Sequence, residues 1–430
     1  MTTKKYTNPA TIALHAGWRK DETTNSVTVP IHMTSSYQFD NTDHAANLFA
    51  LSELGNIYSR IMNPTNAVFE ERVAELEGGV AALGLASGQA ASAYAIQNLC
   101  SHGDNFVASS HLYGGTYNQF KNPFSDMGIE VRFVDPSDPQ NFLDATDDKT
   151  RAYYGEVLPN PSFQVFPLQE VADLGRPLGI PLIVDNTAAP LICRPFDNGA
   201  AIILHSATKY IGGHGTSIGG VLVDGGNFDW EAHPERQPKL NQPDPNYNGV
   251  VWTEAVKALG PIAYILKART TLLRDMGAAM SPFNAWVMLK GLETISLRCE
   301  AQAENAEKIV NALKGHKNIT RILYPTDVSH PQYELAISQM TKGGTVVSFE
   351  LSGGKKAAFS FLNALEIITI SNNLGDAKSL ATHPVTTTHK NMAAEAREAA
   401  GITDGFVRLS VGIEDPEDLI VDLLEALEKV

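Results

Sequence analysis

The sequence has few of the residues that mark secreted, membrane-spanning or nucleic-acid-binding proteins. Its only cysteines, Cys100, Cys193 and Cys299, are widely spaced and form no CxxC pair, which excludes a disulfide framework and a zinc knuckle. No run approaches the ~20 apolar residues that cross a bilayer, and the first residues lack the apolar core of a signal peptide. The net charge of −15 offers no obvious basic face for a phosphate backbone. We therefore expect a soluble cytoplasmic protein that binds neither nucleic acid nor a membrane.

The length and the apolar content allow more than one folded core. The chain has 430 residues, 43% of them hydrophobic, and typical domain sizes then predict about two to three domains. Residues 1–65 are rich in Thr, Asn, Ser and Pro, and we expect an N-terminal arm that lies on another surface. We predict a large domain over residues 66–265 and a smaller C-terminal α+β domain over residues 266–430.

Short apolar segments alternate with helical patterns through the large domain. Those typical of strands are NFVASS, EVRFVD, RAYYGEV, PLIVDNT, AIILHSATKY and GGVLVD. Because strands that alternate with helices form parallel sheets, we predict an α/β fold with a mostly parallel central sheet. In the C-terminal domain, GTVVSFEL and FVRLSVG indicate strands, and PFNAWVMLKGLETISLRCEAQAENAEKIVNALKG has long helical periodicity.

The segment IILHSATKYIGGHG (202–215) places a lysine, Lys209, directly after a buried strand. Burial disfavours an ammonium group and lowers its pKa, so a lysine in such a place is either solvated or takes part in chemistry. The hydroxyl residues Ser206 and Thr208 precede it and could bind an anion. A plain surface lysine is the alternative reading, but the flanking hydroxyls and glycines argue against it.

Two further segments point to the same kind of site. PLIVDNT places Asp185 at the carboxyl end of a strand, where open α/β sheets form their ligand crevices, and a carboxylate there needs a cationic partner. ASGQAAS precedes an Ala-rich helix whose N-terminus favours an anion, although alone it could be a simple helix start. A phosphate, a cationic ring nitrogen and a carbonyl would satisfy Lys209, Asp185 and this helix together. Pyridoxal 5′-phosphate carries all three groups.

At these residues the sequence resembles the Cys/Met-metabolism class of fold-type I pyridoxal-phosphate enzymes. The resemblance covers nearly the whole chain and depends on YSRIMNPT, ELEGGVAALGLASGQAA, LYGGTYN, IVDNT, HSATKYIGGHGTSIGG and RLSVGIED. Within that class, GHGTSIGG, LRDMGAAMSPFNAW and NLGDAKSLATHP look most like the O-acetylhomoserine sulfhydrylase branch. The resemblance implies a fold-type I architecture with a mostly parallel central sheet, an N-terminal arm and a smaller α+β C-terminal domain.

The resemblance also implies roles for individual residues. Lys209 would form the Schiff base with the cofactor, Asp185 would pair with its pyridine nitrogen, and Tyr113 would stack on the ring and exchange protons with the substrate. Asn160 would contact the ring, although Val157, Leu158 and Pro159 replace the usual small or polar residues before it. The phosphate would be bound by the backbone N–H groups of Gly88 and Gln89 and by the hydroxyls of Ser206 and Thr208.

Tyr58 and Arg60 would bind the phosphate of a neighbouring subunit, which implies a homo-oligomer, a tetramer built from dimers with shared active sites. Arg408, assisted by Asn373, would bind the substrate α-carboxylate. His383 and His389 could suggest a metal, but their spacing fits no helical ligand pair, and we expect none.

The implied reaction is replacement of the acetoxy group of O-acetyl-L-homoserine by a sulfur nucleophile, which gives homocysteine and acetate in methionine biosynthesis. A cystathionine or methionine γ-lyase, or a cystathionine γ-synthase-type activity, is the alternative. Gly115 stands where methionine γ-lyases of this class carry a cysteine, which argues against that branch. The sequence leaves open whether sulfur arrives as sulfide, as a small thiol or on a carrier protein, and whether the leaving group is acetyl, succinyl or phosphoryl.

Overall fold

The computed structural model describes residues 6–50, 52–390, 392, 394, 397 and 401–430. Its α-helices are α1 Pro9–His15, α2 Thr42–Phe49, α3 Pro64–Glu77, α4 Gly88–Gln97, α5 Gly114–Lys121, α6 Pro123–Asp126, α7 Gln140–Asp144, α8 Leu168–Gly175, α9 Pro238–Asn241, α10 Trp252–Ala255, α11 Ala263–Lys267, α12 Arg274–Met276, α13 Pro282–Leu292, α14 Ile295–Leu313, α15 Tyr333–Gln339, α16 Gly354–Ala364 and α17 Pro416–Leu427. A π-helical segment, Ala268–Leu273, joins α11 to α12, and 3₁₀ turns cover Arg176–Leu178, Pro195–Asn198, Pro245–Tyr247 and Pro384–Thr386.

The strands belong to two sheets. They are β1 Ala81–Leu85, β2 Asn105–Ser109, β3 Glu130–Val134, β4 Thr150–Glu156, β5 Leu182–Asp185, β6 Ile202–His205, β7 Gly220–Asp224, β8 Ile319–Leu323, β9 Val346–Leu351, β10 Thr369–Ile370, β11 Leu380–Thr382 and β12 Phe406–Ser410. Every segment expected to be a strand contains one.

The larger sheet has the strand order β1-β7-β6-β5-β4-β2-β3. Strands β3, β2, β4, β5 and β6 pair in parallel, and β7 is antiparallel to both of its neighbours, β1 and β6. The prediction of a mostly parallel central sheet is therefore confirmed. The antiparallel strand β7 comes directly after the loop that follows Lys209. Its direction was not predicted from the sequence.

Both faces of the larger sheet are buried, which explains why its central strands are almost wholly apolar. On β6, Ile202 and Leu204 pack into the cluster that contains α4, whereas Ile203 faces the cluster that contains α3 and α13. The apolar runs end in Asp185 on β5 and His205 on β6. Polar side chains are thus concentrated at the carboxyl edge of the sheet, where crevices form.

The smaller sheet has the order β10-β11-β12-β9-β8 and is antiparallel except for the β10–β11 pair. The helices α14, α16 and α17 pack against it around a cluster that includes Phe349, Phe361 and Leu423. The long helical periodicity before this sheet proves to be two helices, α13 and α14, because Glu293 and Thr294 separate them. In the described part of the chain, no helix has both the length and the apolar character to cross a membrane.

The N-terminal arm is not extended throughout. Asn8 caps α1 by accepting a hydrogen bond from the backbone N–H of Ala10, and Pro9 occupies the first turn, where proline is favoured. Ile12 and Ala13 are buried against α3 and α14 of the same chain. Part of the arm therefore packs on its own subunit, while the domain boundaries at residues 65 and 265 stay a prediction.

Candidate active site

A cavity of about 230 Å³ lies at the carboxyl edge of β4, β5 and β6. It brings together these residues expected from the sequence: Gly88, Gln89, Tyr113, Asn160, Asp185, Ser206, Thr208 and Lys209. Asn373 and Arg408 do not line the cavity but bond to residues that do. Tyr58 and Arg60 lie elsewhere on the same chain.

Lys209 lies in the turn that follows β6. Its backbone N–H donates to the carbonyl of Ser206 at 3.1 Å, and its carbonyl accepts from Gly213 at 2.7 Å. The amine donates a hydrogen bond to Oδ1 of Asn373. Burial, assisted by the positive charge of Arg408, lowers the pKa of Lys209 to about 8. About a tenth of the amine is therefore neutral at pH 7, far more than for an ordinary lysine, and the neutral form is the one that acts as a nucleophile or a base.

The loop after Lys209 is fixed by a buried arginine that the sequence did not reveal. Arg298 on α14 donates to the carbonyls of Tyr210 at 2.8 Å and Gly291 at 2.7 Å. Gly213 has φ +70°, and a side chain there would collide with the guanidinium of Arg298. The only available signal was an arginine on the buried side of the helical pattern. Arg298 thus holds the backbone that carries Lys209.

Asp185 stands at the end of β5 and lines the cavity floor. Its Oδ1 accepts the backbone N–H of Thr187 at 2.8 Å. Burial raises the pKa of Asp185, while the hydrogen bonds from Thr187 and the nearby His205 oppose that rise. No described lysine or arginine forms an ion pair with it, so a cation from a ligand would satisfy this carboxylate.

The N-terminus of α4 forms a cradle for an anion. Ser87 caps the helix by accepting from the N–H of Ala90 at 3.1 Å, which leaves the first N–H groups, those of Gly88 and Gln89, directed out of the helix. Gly88 lies directly over Ser206, because a Cβ at position 88 would be 2.7 Å from the Ser206 Cβ. Only glycine therefore lets the helix terminus and the Ser206 hydroxyl meet.

The hydroxyl of Thr208 closes the loop after Lys209. It donates to the carbonyl of Gly219 at 3.3 Å and accepts the N–H of Gly219 at 3.1 Å. Thr208 lines the cavity beside Ser206. Its role in this structure is to join the two ends of the loop, in addition to the anion contact expected from the sequence.

Tyr113 stands at the start of α5 with its ring 40% exposed at the cavity. Its backbone N–H donates to Oε1 of Glu156 at 2.8 Å. The ring lies over Gly115, where a Cβ would approach the Tyr113 Cε1 to 2.5 Å. A residue with a side chain at position 115 would therefore displace this ring.

Arg408 is fully buried and has no carboxylate partner among the described residues. It donates to Oδ1 of Asn160 at 3.2 Å and to the carbonyl of Asn373 at 2.6 Å, and its Nε has no hydrogen-bond partner in the described part of the chain. Burial lowers the pKa of Arg408 to about 10, so it remains a cation at neutral pH. A buried cation with a free donor fits the carboxylate of a substrate.

The structure does not bring Tyr58 and Arg60 to the cavity of their own chain. The guanidinium of Arg60 donates to the carbonyl of Arg274 and lies 5.2 Å from the centre of the Tyr58 ring. His383 and His389 use their ring nitrogens locally: those of His383 bond to Thr386 and to the carbonyl of Asp404, and Nδ1 of His389 bonds to Thr388.

Sequence reasoning missed several residues that line the cavity. Glu156 and Thr187 adjoin positions that were singled out, in GEVLPNP and IVDNT, and Ser92 and Thr116 lie one turn into α4 and α5. The sequence could have indicated them only because each lies close along the chain to a residue already assigned to the site. Glu156 stands out, because it is a carboxyl group only 6% exposed.

The cavity residues fit pyridoxal 5′-phosphate on grounds of geometry and charge. The cradle formed by Gly88 and Ser206 has room for a phosphate only because position 88 has no side chain. Asp185 supplies a partly buried carboxylate for a cationic ring nitrogen, and Lys209 supplies an amine of lowered pKa for the aldehyde. These features meet in one cavity.

Comparison with known proteins agrees with this fit. The family model for Cys/Met metabolism PLP-dependent enzymes matches residues 10–428. The chain is 48% identical to an O-acetyl-L-homoserine sulfhydrylase of Leptospira meyeri (98% of this chain, 97% of that protein) and 43% identical to a homocysteine/cysteine synthase of Saccharomyces cerevisiae (98% and 97%).

Among solved structures, a putative O-acetylhomoserine (thiol)-lyase of Campylobacter jejuni, which contains N′-pyridoxyl-lysine-5′-monophosphate, matches with a TM-score of 0.93. The two chains are 38% identical, and the match covers 98% of this chain and 100% of that one. The predicted fold-type I architecture is confirmed, and so is pyridoxal 5′-phosphate as the cofactor. The chain therefore belongs to the Cys/Met metabolism family of PLP-dependent enzymes.

Proposed function

We propose that the protein is an O-acetylhomoserine sulfhydrylase, which replaces the acetoxy group of O-acetyl-L-homoserine by a sulfur nucleophile and releases homocysteine and acetate. The observation that carries this proposal is that Asn373 joins the Lys209 amine, which lines the cavity, to the buried guanidinium of Arg408, whose Nε has no hydrogen-bond partner among the described residues. An amine for the cofactor beside a cation for a carboxylate suits an α-amino acid as substrate. The names of relatives that are 48% and 43% identical over nearly the full length point to O-acetyl-L-homoserine as that amino acid.

Lys209 is the residue proposed to move protons. The bound cofactor would supply an electron sink for the electrons left when the substrate α-proton is removed. Because the pKa of Lys209 is lowered to about 8, the amine can accept a proton at Nζ and return it without a large free-energy penalty. Asn373 orients Nζ by accepting its hydrogen bond.

Arg408 is proposed to bind the substrate carboxylate. Its guanidinium is fixed by Asn160 and by the carbonyl of Asn373, which leaves Nε to donate to an incoming anion. Since Asn373 contacts both Arg408 and Lys209, the carboxylate and the proton-transfer group are held in a fixed relation. Such positioning turns binding energy into orientation of the α-carbon.

Replacement, rather than elimination to a 2-oxo acid, is supported by Tyr113 and Gly115. The Tyr113 ring occupies the space over Gly115, and a cysteine there would displace it. With glycine at position 115, the ring can keep this position. From there it would cover the reacting carbons and hold the substrate until a sulfur donor arrives. The lyase reading remains the second candidate because the same proton transfers begin both reactions.

The experiment that tests this function is turnover of purified protein with each candidate ester and donor. Homoserine esterified with acetyl, succinyl or phosphoryl groups is combined with sulfide, methanethiol or cysteine, and homocysteine, methionine or cystathionine is counted by mass spectrometry. The acetyl ester with sulfide is expected to give the highest kcat/KM. A preference for the succinyl ester with cysteine as donor would instead indicate a cystathionine γ-synthase-type enzyme.

Shared active sites in a homo-oligomer, a tetramer built from dimers, are also proposed. Large apolar side chains are exposed along the arm that also carries Tyr58 and Arg60, including those of Met33 at 69% and Leu54 at 65%. A partner subunit would cover them and place Arg60 at a phosphate site. Co-refolded Arg60→Ala and Lys209→Ala subunits are expected to regain partial activity, and no recovery in proven hybrids would contradict the shared site.

A reducing cytoplasmic location is proposed as well. Cys100, Cys193 and Cys299 are all free thiols in the structure, as expected where disulfides do not persist. Fractionation of cells that express the full chain tests this location directly.

A further inference from the structure

The cavity floor contains a second carboxyl group beside Asp185. Glu156 ends β4, Asp185 ends β5, and the two residues are register partners on adjacent parallel strands. Register partners project from the same face of a sheet, and adjacent strands are ~4.8 Å apart. Both side chains line the cavity. Two carboxyl groups, that of buried Glu156 and that of partly buried Asp185, are therefore neighbours at the place proposed to bind the ring nitrogen of the cofactor.

Two neighbouring carboxyl groups, one buried and one partly buried, repel each other when both are ionised, and this repulsion favours a proton on one of them. The hydrogen bonds that Asp185 accepts from Thr187 and the electrostatic effect of nearby His205 lower the pKa of Asp185 and so favour its charged form. Glu156 is buried and next to Asp185, and these two influences raise its pKa well above the usual range. The proton accordingly belongs on Glu156.

The other groups around Glu156 do not change this assignment. Tyr154, two residues earlier on β4, is a buried neutral phenol whose pKa is raised by burial. On α5, the backbone N–H of Tyr113 donates to Oε1 of Glu156 and favours its ionised form, but burial and the charge of Asp185 outweigh this contact and raise the pKa of Glu156. Lys209 directs its amine to Asn373, and no described lysine or arginine bonds to Glu156. Among the residues that the structure describes, no lysine or arginine is therefore bonded to Glu156 to stabilise its ionised form.

We propose that Glu156 is a positioning residue that acts as a neutral carboxylic acid. By holding the proton of the pair, it leaves the negative charge of the cavity floor on Asp185, where the ring nitrogen would bind. By accepting the N–H of Tyr113, it fixes the start of α5 and hence the Tyr113 ring. Glu156 thus links the groups on two sides of the cofactor. The inference rests on the proposed function and on the contact of Asp185 with the ring nitrogen that the resemblance implies.

Two substitutions at position 156 separate the effect of the carboxyl group's charge from the effect of its hydrogen bond to Tyr113. Glu156→Gln keeps an acceptor for Tyr113 and resembles a protonated carboxyl group, so its affinity for pyridoxal 5′-phosphate should stay within about threefold of that of the original protein. Glu156→Leu removes the acceptor and should weaken that affinity by about tenfold or more. Dissociation constants are measured by titrating the apo protein, with cofactor absorbance as the readout.

Infrared difference spectroscopy tests the proton itself. The original protein should show a protonated carboxyl band that Glu156→Gln lacks. The inference is overturned if this band is absent from the original protein, if Glu156→Gln is as weak as Glu156→Leu, or if Glu156→Leu binds like the original protein. If Glu156→Leu does not fold, the band and the affinity of Glu156→Gln still decide the question.

Asp185→Asn is the matched control, because it alters the other carboxyl group of the pair. It should lose affinity and most activity. If Asp185→Asn binds and turns over normally, the proposed role of Asp185 fails. If Asp185→Asn is impaired and the Glu156 variants are not, only the inference about Glu156 fails.

Discussion

Because Lys209 donates a hydrogen bond to Asn373, a single substitution at position 373 can change the pKa of the catalytic amine. Burial and Arg408 lower the pKa of Lys209 to about 8, and the neutral Oδ1 of Asn373 accepts its hydrogen bond. Asn373→Asp replaces that amide by a carboxylate of almost the same shape. The change places a negative charge within hydrogen-bond distance of Nζ and should stabilise the ammonium form.

The size of the effect follows from the position of the new charge. A carboxylate within ~4–6 Å of an ammonium shifts its pKa by about 1–3 units. The midpoint for Lys209 should therefore rise from about 8 to about 9–11. At neutral pH the neutral fraction of the amine, and with it the nucleophilic reactivity, should fall by about 10-fold to 1000-fold.

Trace acetylation of the apo protein over a range of pH measures this midpoint directly. The Lys209 peptide is quantified by mass spectrometry against peptides that carry surface lysines. Asn373→Ala is the control, because it removes the acceptor without adding charge and should leave the midpoint near that of the original protein. A midpoint near the ~10.4 of free lysine in the original protein, or an unchanged midpoint in Asn373→Asp, would refute the reasoning.

Three further substitutions test other parts of the site. Gly88→Ala should weaken cofactor binding by about 10-fold to 100-fold because its Cβ would lie 2.7 Å from the Ser206 Cβ. If this collision is the cause, the double variant Gly88→Ala with Ser206→Gly should bind the cofactor better than the product of the two single effects predicts. Arg298→Met should lower stability to urea by about 2–4 kcal/mol because the carbonyls of Tyr210 and Gly291 lose their donor; unchanged urea unfolding would contradict its role in the loop. Arg408→Lys should raise KM by about 30-fold or more with an unchanged cofactor spectrum, since lysine cannot reproduce the fork; a change in kcat alone would argue against carboxylate binding.

The sequence predicted those parts of the fold and the site that are encoded locally. The strands β4, β5 and β6 are short apolar runs that end in polar residues, so both their burial and the edge that carries Asp185 and Lys209 could be inferred. The cradle at Gly88 was also foreseen, because a serine and a glycine before a helix form a local pattern.

Features that depend on distant contacts could not be predicted. Arg298 reaches the Lys209 loop from a helix that starts 86 residues later, and its place on the buried side of the helical pattern does not show which distant backbone it contacts. The proximity of Glu156 to Asp185 depends on the register of two strands, which the sequence does not specify. The antiparallel direction of β7 likewise depends on how the chain returns from the loop.

The proposed function is tested most directly by the partition of products in one reaction. Purified protein is given O-acetyl-L-homoserine and saturating sulfide, and homocysteine is counted by mass spectrometry while 2-oxobutanoate is measured in the same sample. Homocysteine is expected to form in large excess, and methionine or cystathionine offered alone should release little 2-oxobutanoate. Release of 2-oxobutanoate from methionine or cystathionine faster than homocysteine forms would contradict the sulfhydrylase account and establish a lyase.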